Sequence, residues 1–483
     1  MRTTSVRRGG LALVSLAAIL AVQRADAAGG FTNGQAASVV LGQQDFVTNA
    51  AATATGSSLH FPNGVAVEAS GNLWVVDGLN YRVLQFRAPI TNGESASVVL
   101  GQPDLTSNAQ NNGGRTAKSL GGPGGIAMDA SGNLWVGDNG ANGRVLKYAP
   151  PFTDFMAASL VLGAPDFTSV NSGVSQTSVP TPVGLAFDSA GNIWVADEQT
   201  NRVLRFNAPF TNGEPASVVL GQPNFTSSAA ATPPTATSLN HPESVTVDSS
   251  GNVWVADSGN NRVLKYSPPF TNGQAASVVI GQSLFTSNSA PNPPTASSLR
   301  QPSGVTVDSS GSLWVVDDLN HRILEYDPPI ANGQAASVVI GQPDFVSNAA
   351  PTPPTSSSLQ VPFGPVAVTA QRLWVADHSN NRVLAYAPVS TPTPTPPPGD
   401  TTLNPISPPG FPYKVTAEIK CTESLGPVCL GVEIVKICIG GNCFDPRPSN
   451  PPPCIKCFLG ASFAAGALLG GIGAALLMRR RRP

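Results

Sequence analysis

The chain is poor in charge and in metal-ligating side chains. Only 12% of its 483 residues are Asp, Glu, Lys or Arg, and its only histidines are His60, His241, His321 and His378. Overlaid on the internal repeat described below, the four histidines occupy four different registers. Ligands that converge on one ion should come from one register in different repeats, so a zinc-type centre is not expected. Cysteine is absent before Cys421. There is no GxSxG and no phosphate-cradling glycine loop, and the abundant serines sit in turns, so no nucleophile–base arrangement is visible. Basic charge is scarce as well. Setting aside the terminal segments, which hold eight Arg and one Asp, leaves 19 basic and 28 acidic residues, a net charge of −9. Such a surface lacks the charge that neutralises phosphates, so nucleic acid is not an expected partner. Aromatic residues are 6% of the chain and do not cluster along the linkers. That removes the clearest sequence sign of sugar binding.

What is present is periodic. The six tryptophans are Trp74, Trp135, Trp194, Trp254, Trp314 and Trp374, at intervals of 61, 59, 60, 60 and 60 residues. A spacing this regular is an internal repeat. The copy at residues 241–282 contains four short apolar runs: Ser244–Val247, Val253–Ala256, Arg262–Tyr266 and Ala276–Ile280. Between them lie Asp-Ser-Ser-Gly-Asn, Asp-Ser-Gly-Asn-Asn and Pro-Pro-Phe-Thr-Asn-Gly, which are turn chemistries. No stretch of the repeat has a sustained helical period, and β-rich runs between turn clusters read as antiparallel strands. Four strands in each of six units suggest an all-β fold, a six-bladed β-propeller. The run Val253-Trp254-Val255-Ala256 does not alternate with polar residues, as expected where both faces of a blade are covered. The array starts at Phe31–Gln43, which matches only a fourth strand, and its last copy stops at Tyr386 after a third. Ala37–Leu41 is therefore expected to pair with Arg382–Tyr386 and close the ring, leaving no open edge.

The core P-x-G-V-x-V-D-x-x-G-N-x-W-V-A-D-x-x-N-x-R-V-L, seen at Pro302–Leu324 and Pro182–Leu204, resembles the NHL repeat. The resemblance covers residues 31–387 and implies a propeller, commonly six-bladed. Each copy keeps an Asp before its second turn, at Asp77, Asp138, Asp197, Asp257, Asp317 and Asp377. Each also keeps an Arg, at Arg82, Arg144, Arg202, Arg262, Arg322 and Arg382. These twelve are expected to form turns and pair with one another. The Asp that ends the first strand is replaced by Glu68 and Thr369 in two copies. A linker of roughly 18 residues, such as 223–240, precedes each first strand. The second copy departs most, with Asn111-Asn112-Gly113-Gly114, expected to be a flexible loop, and Phe152-Thr153-Asp154-Phe155 in place of Thr-Asn-Gly.

The flanks place this array in an envelope. Residues 1–27 read as a secretory signal: a basic start, the apolar run Leu11–Val22, and Ala25-Asp26-Ala27 as the cleavage site. The propeller is expected over 28–387. Residues 388–412 form a Pro/Thr-rich stalk which, at about 3.1 Å per residue, reaches roughly 75 Å. A small segment, 413–457, holds Cys421, Cys429, Cys438, Cys443, Cys454 and Cys457, an even set that reads as disulfides in an exported chain, with the connectivity open. Residues 458–478 carry no charge and are long enough for a transmembrane helix, and the arginines of 479–483 mark the cytoplasmic side. An apolar helix followed by arginines also resembles bacterial C-terminal sorting signals, which would imply processing and display at the cell surface.

Links into first strands and links between second and third strands share one propeller face, the natural binding surface. Related six-bladed propellers include a lyase with metal-binding histidines and lactonases that hold calcium through Glu, Asn and Asp. In this chain the residues after the first-strand proline are Asn63, Gly124, Val183, Glu243, Ser303 and Phe363. Glu243 with Asn63 is the one candidate calcium pair at the channel mouth. The chain reads as a cell-surface binding or scaffold module for a protein or glycan ligand, without a cofactor. A calcium-dependent hydrolase or lyase at the channel mouth is the alternative.

Overall fold

The computed structural model describes residues 30–389 except 141, 171 and 172, and the strand residues 415–425, 428–439 and 442–444. The expected signal segment, the stalk beyond Val389, Cys454, Cys457, the membrane helix and the basic tail lie outside the described residues. Among the described residues no helix is long and apolar enough to cross a membrane.

Six four-stranded antiparallel sheets form the blades of a propeller. Blade 4 shows the pattern: Pro242–Val247, Val253–Asp257, Arg262–Tyr266 and Val278–Ile280, each paired with the next. Blades 1, 2, 3 and 5 repeat it at 62–100, 123–162, 182–220 and 302–340. Blade 6 joins Ala367–Val368, Leu373–Asp377 and Arg382–Tyr386 to the N-terminal strand Val39–Leu41. The closing register is Val39↔Ala385, Val40↔Leu384 and Leu41↔Val383. The outer strand is shorter than the expected Ala37–Leu41 because the Ala37 N–H donates sideways to the Ser356 carbonyl of a linker, at 2.7 Å. Ala276 is drawn off in the same way, to Ala236 at 2.8 Å.

The core lies between blades. The side chains of Val253, Trp254, Val255 and Ala256 are all buried. On one side, Val253 and Val255 join Trp194, Ala196 and Val203 of blade 3 in a single cluster. On the other, Trp254 and Ala256 join Val305, Leu313 and Val315 of blade 5. Each tryptophan needs a partner for its indole N–H. Trp254 Nε1 donates to Asp248 at 3.0 Å, and Trp74 Nε1 donates to Glu68 at 2.6 Å, so the glutamate replaces the usual aspartate functionally.

The outer edges are stapled. Asn272 of the Thr-Asn-Gly loop in blade 4 accepts the Val219 N–H of blade 3 at 3.0 Å, and the Gly273 N–H donates to the Val219 carbonyl at 3.0 Å. One loop thus satisfies both backbone groups of a residue on the outer strand, which protects that edge from unwanted pairing. In blade 2, Asp154 takes the asparagine role, accepting from Val99 at 2.9 Å, and Phe155 adopts the left-handed conformation (φ 51°) that glycine holds in the other copies. The expected flexible loop at Asn111–Gly114 is instead a defined turn. The Asn111 N–H donates to Leu120 at 2.9 Å, and its side-chain oxygen accepts from Asn142 at 2.6 Å.

The second described unit is a three-stranded antiparallel sheet of Val415–Leu425, Val428–Ile439 and Asn442–Phe444, in which Cys438 and Cys443 are register partners.

Candidate functional site

The first strand of each blade is innermost, and in blades 1 to 5 its start carries a β-bulge. In blade 4 the register passes from Pro242↔Asp257 to Ser244↔Ala256, leaving Glu243 unpaired. Blades 1, 3 and 5 show the same shift after Pro62, Pro182 and Pro302, and blade 2 shows a longer one. A bulge re-aims a side chain, and here it turns the residue after the proline toward the channel mouth. Below the mouth the walls approach closely. A Cβ on Gly304 would meet the Gly364 carbonyl oxygen at 2.0 Å.

The mouth is a cavity of about 600 Å³ lined by Asn63, Gly124, Val183, Glu243 and Phe363, the residues after the first proline of their copies. Gly78, Asn139, Glu198 and His378 line it from the links between second and third strands. Both kinds of link therefore share one face, as expected. The two halves of this mouth differ. Blades 3 and 4 bring Glu198 and Glu243, and Asp318 of blade 5, outside the lining, lies within electrostatic reach of Glu243. Blades 6 and 1 bring Phe363, His378 and Phe61, with the Phe61 and His378 rings stacked at 4.6 Å and Phe363 5.5 Å from His378. Leu79, 44% exposed, extends the apolar side.

The acidic side is short of partners. Glu243 shares a hydrogen bond with Ser258, but its Oε2 is buried with none. Burial, reinforced by Asp318 and Glu198, pushes its pKa well above the usual carboxylate range. Asp318 is 7% exposed with a buried, unpartnered Oδ1, and burial together with Asp317 raises it to about 7. Glu198 lies nearer solvent and contacts His241 Nδ1 at 3.1 Å. No second carboxylate shares the register of Glu243. Glu198 and Asp318 belong to a second register, the residue after the repeat Asp, and that comparison would have found them.

The candidate calcium pair is not brought together as a chelate. Glu243 is on blade 4 and Asn63 on blade 1, opposite members of a six-bladed ring, and Asn63 Nδ2 is committed to the Pro123 carbonyl at 3.0 Å. Calcium takes six to eight oxygens. Among the described residues no three His, Cys, Asp or Glu side chains gather closely enough to hold a metal ion. The residues present thus fit that ion poorly. Of the histidines, His378 lines the mouth and its Nδ1 faces the Pro62 carbonyl at 3.3 Å, while His321 Nδ1 accepts from Val361 at 3.1 Å. His60 stacks on Phe61 at 5.1 Å.

All twelve repeat Asp and Arg side chains are buried and paired within their blades. They do more than form turns. Asp257 Oδ1 accepts the Asn240 N–H at the end of the lead-in linker at 2.6 Å, and Oδ2 accepts Arg262 Nε at 2.7 Å. Arg262 Nη2 then donates to Thr235 and Ser238 of that linker, each at 2.9 Å, and Nη1 donates to Phe285 of the next linker. Every guanidinium so ties down the linkers that frame the mouth. At the closure, Arg382 holds Thr355 and Ser358 of one linker and Phe46 of the N-terminal one.

The NHL repeat family is matched at residues 180–206, 239–266 and 299–326. None of the curated proteins matches the chain. Solved structures of similar fold include a protein of unknown function from Bacteroides thetaiotaomicron, at 15% identity over 73% of this chain and 74% of that one, with a TM-score of 0.46. A gluconolactonase from Xanthomonas campestris is 17% identical over 73% and 97%, with a TM-score of 0.42. Virginiamycin B lyase from Staphylococcus aureus is 15% identical over 67% and 94%, with a TM-score of 0.38. Likeness at this level says nothing about activity. The three matched stretches are NHL repeats, and they lie within a closed ring of six four-stranded blades, so the chain is a six-bladed β-propeller that carries NHL repeats.

Proposed function

We propose that the protein is an exported, surface-displayed binding module that captures a protein or glycan ligand on the face formed by the lead-in linkers and the channel mouth. The observation that carries this reading is where the apolar side chains are left in water. Val47, Val170, Leu284 and Val346, 53% to 61% exposed, all lie on lead-in linkers and Leu79 lies at the mouth; among the described residues only Val389, after the last strand, is a large exposed apolar side chain elsewhere. Apolar groups concentrated on one face mark an interaction surface. Aliphatic contacts of this kind favour a protein over a glycan. The linkers are also held rigid by the buried arginines, so little ordering cost is left for binding.

The competing reading is a calcium-dependent hydrolase or lyase at the mouth, and its support is the unpartnered Glu243 carboxyl. The test is capture of surface ligands by the full-length chain in detergent, wild type against a Val47→Asp, Leu284→Asp, Val346→Asp variant. The binding reading expects a discrete ligand retained by wild type and lost from the variant, with melting unchanged. Equal retention by both would overturn it.

A further inference from the structure

The channel mouth is acidic on one side and apolar on the other. Glu198 and Glu243, from consecutive blades, line the cavity, and with Asp318 of the next blade Glu198 disfavours ionisation of Glu243. Among the described residues no lysine or arginine lines the cavity with Glu198 and Glu243. The repeat arginines of these blades, Arg202, Arg262 and Arg322, are buried at the repeat aspartates and committed to linker carbonyls. Two carboxyl oxygens, Glu243 Oε2 and Asp318 Oδ1, are buried without a partner. A buried acceptor without a donor is costly, so an acidic site of this kind is incomplete as it stands. Across the ring, blades 6 and 1 present Phe363, Phe61, His378 and Leu79.

We infer that the mouth receives the side chain of a lysine or arginine of a protein ligand, with the cationic head at Glu243 and Glu198 and the hydrocarbon stem along Phe61, Phe363 and Leu79. This rests on the binding reading and narrows its ligand. An ammonium or guanidinium group supplies the missing donors and the missing positive charge together. Its stem is apolar and rotatable, and such stems pack along apolar walls while the head finds its counter-charge. The aromatic rings add attraction for a cation passing over their faces. A bare divalent ion would use neither the stem wall nor the rings, and the carboxylates do not converge on one point as its shell requires. The raised pKa of both carboxyls fits the same account: burial raises each, and neighbouring carboxylates add to it.

The experiment is calorimetric titration of the full-length chain with N-acetyl-arginine methylamide and N-acetyl-lysine methylamide, against N-acetyl-norleucine methylamide and calcium chloride. The cationic probes are expected to bind at least tenfold more tightly than norleucine. Glu243→Gln is expected to weaken them at least tenfold with melting not lowered. Glu198→Gln, at the wetter edge of the mouth, is expected to weaken them less. Norleucine binding as well as the cationic probes, or the cationic probes binding Glu243→Gln undiminished, would overturn the inference. Stoichiometric calcium that excludes the probes would overturn it too. Ligand capture gives the separation from the broader reading. If wild type and Glu243→Gln capture the same protein equally, the binding reading stands and this inference fails. If wild type captures nothing, the broader reading fails.

Discussion

Asn33 accepts the backbone N–H of Val339 at 3.0 Å across 306 residues of sequence. The next residue completes the contact, with the Gly34 N–H donating to the Val339 carbonyl at 3.0 Å. The same two-bond staple joins the other neighbouring blades, so the N-terminal segment closes the ring with the device used at the other joints. Its strand also fills the outer edge of blade 6. Closure therefore depends on residues 30–43 twice over.

Asn33→Ala should cost about 1 kcal/mol, the usual net worth of one hydrogen bond. Deleting residues 30–43 should do far more, opening blade 6 and exposing a strand edge that invites association. Urea unfolding of the point variant and light scattering of the truncated chain would measure the two effects. Equal behaviour of both variants would contradict the closure described above.

The buried arginines are expected to matter more than a simple ion pair. Arg262→Leu leaves Asp257 buried without its counter-charge and should cost about 3–5 kcal/mol. Removing both charges often restores stability in an isolated buried pair. Here Asp257→Leu with Arg262→Leu should stay strongly destabilised, because the carbonyls of Thr235, Ser238 and Phe285 also lose their donor. Arg262→Lys should fail as well, since an ammonium cannot reproduce the planar fork. Chemical denaturation of the three variants decides between a pair and a linker hub.

The acidic mouth sets a pH dependence with a definite sign. The folded-state pKa of Asp318 is raised from 3.8 to about 7. The folded state therefore holds a proton that the unfolded chain has released, and stability falls as pH rises between about 4 and 7. One such group contributes a slope of about 1.4 kcal/mol per pH unit in that window. Glu243 acts in the same direction, as does Glu325, also raised to about 7, while His321 and His378, lowered by burial, oppose them. The difference between wild type and Asp318→Asn isolates the one group. Relative to the variant, wild type should lose stability as pH rises from 5 to 7. A flat difference would show that Asp318 ionises normally.

The indole cap offers a local check. Trp74 donates to Glu68, which also accepts from Ser70, Asn72 and Gln85. Glu68→Ala leaves a buried indole N–H and a buried Gln85 amide unsatisfied, and should cost about 1–3 kcal/mol. Glu68→Asp, the residue other copies use, should cost less. Thermal melting of the two variants compares them directly.

The periodicity of Trp, Asp and Arg made the blades, the ring and the pairing of Asp257 with Arg262 legible in the sequence. The half-copies at the two ends made the closure legible. The channel register was also readable, because Glu243 follows the first-strand proline. What was not readable follows from the kind of bond involved. Arg262 grips three linker carbonyls, and a backbone carbonyl has no residue signature. The Thr-Asn-Gly loops read as turn chemistry, and nothing in the chain states that their Asn bonds the neighbouring blade. The stretch Asn111–Gly114 looked flexible because its composition favours positive φ, yet Asn142 and Leu120 fix it. Asp318 and Glu198 were missed because convergence at a propeller mouth joins two registers, not one.

The most direct test of the central claim, that the channel mouth is a recognition site and not a metal-dependent catalytic centre, is bound metal. Elemental analysis of the full-length purified chain would be paired with thermal melting in the presence and absence of chelator. The account predicts less than stoichiometric calcium or zinc and a melting temperature indifferent to chelation. Stoichiometric metal, lost on chelation together with a fall in melting temperature and absent from Glu243→Gln, would contradict it and place a metal-dependent hydrolase or lyase at the mouth.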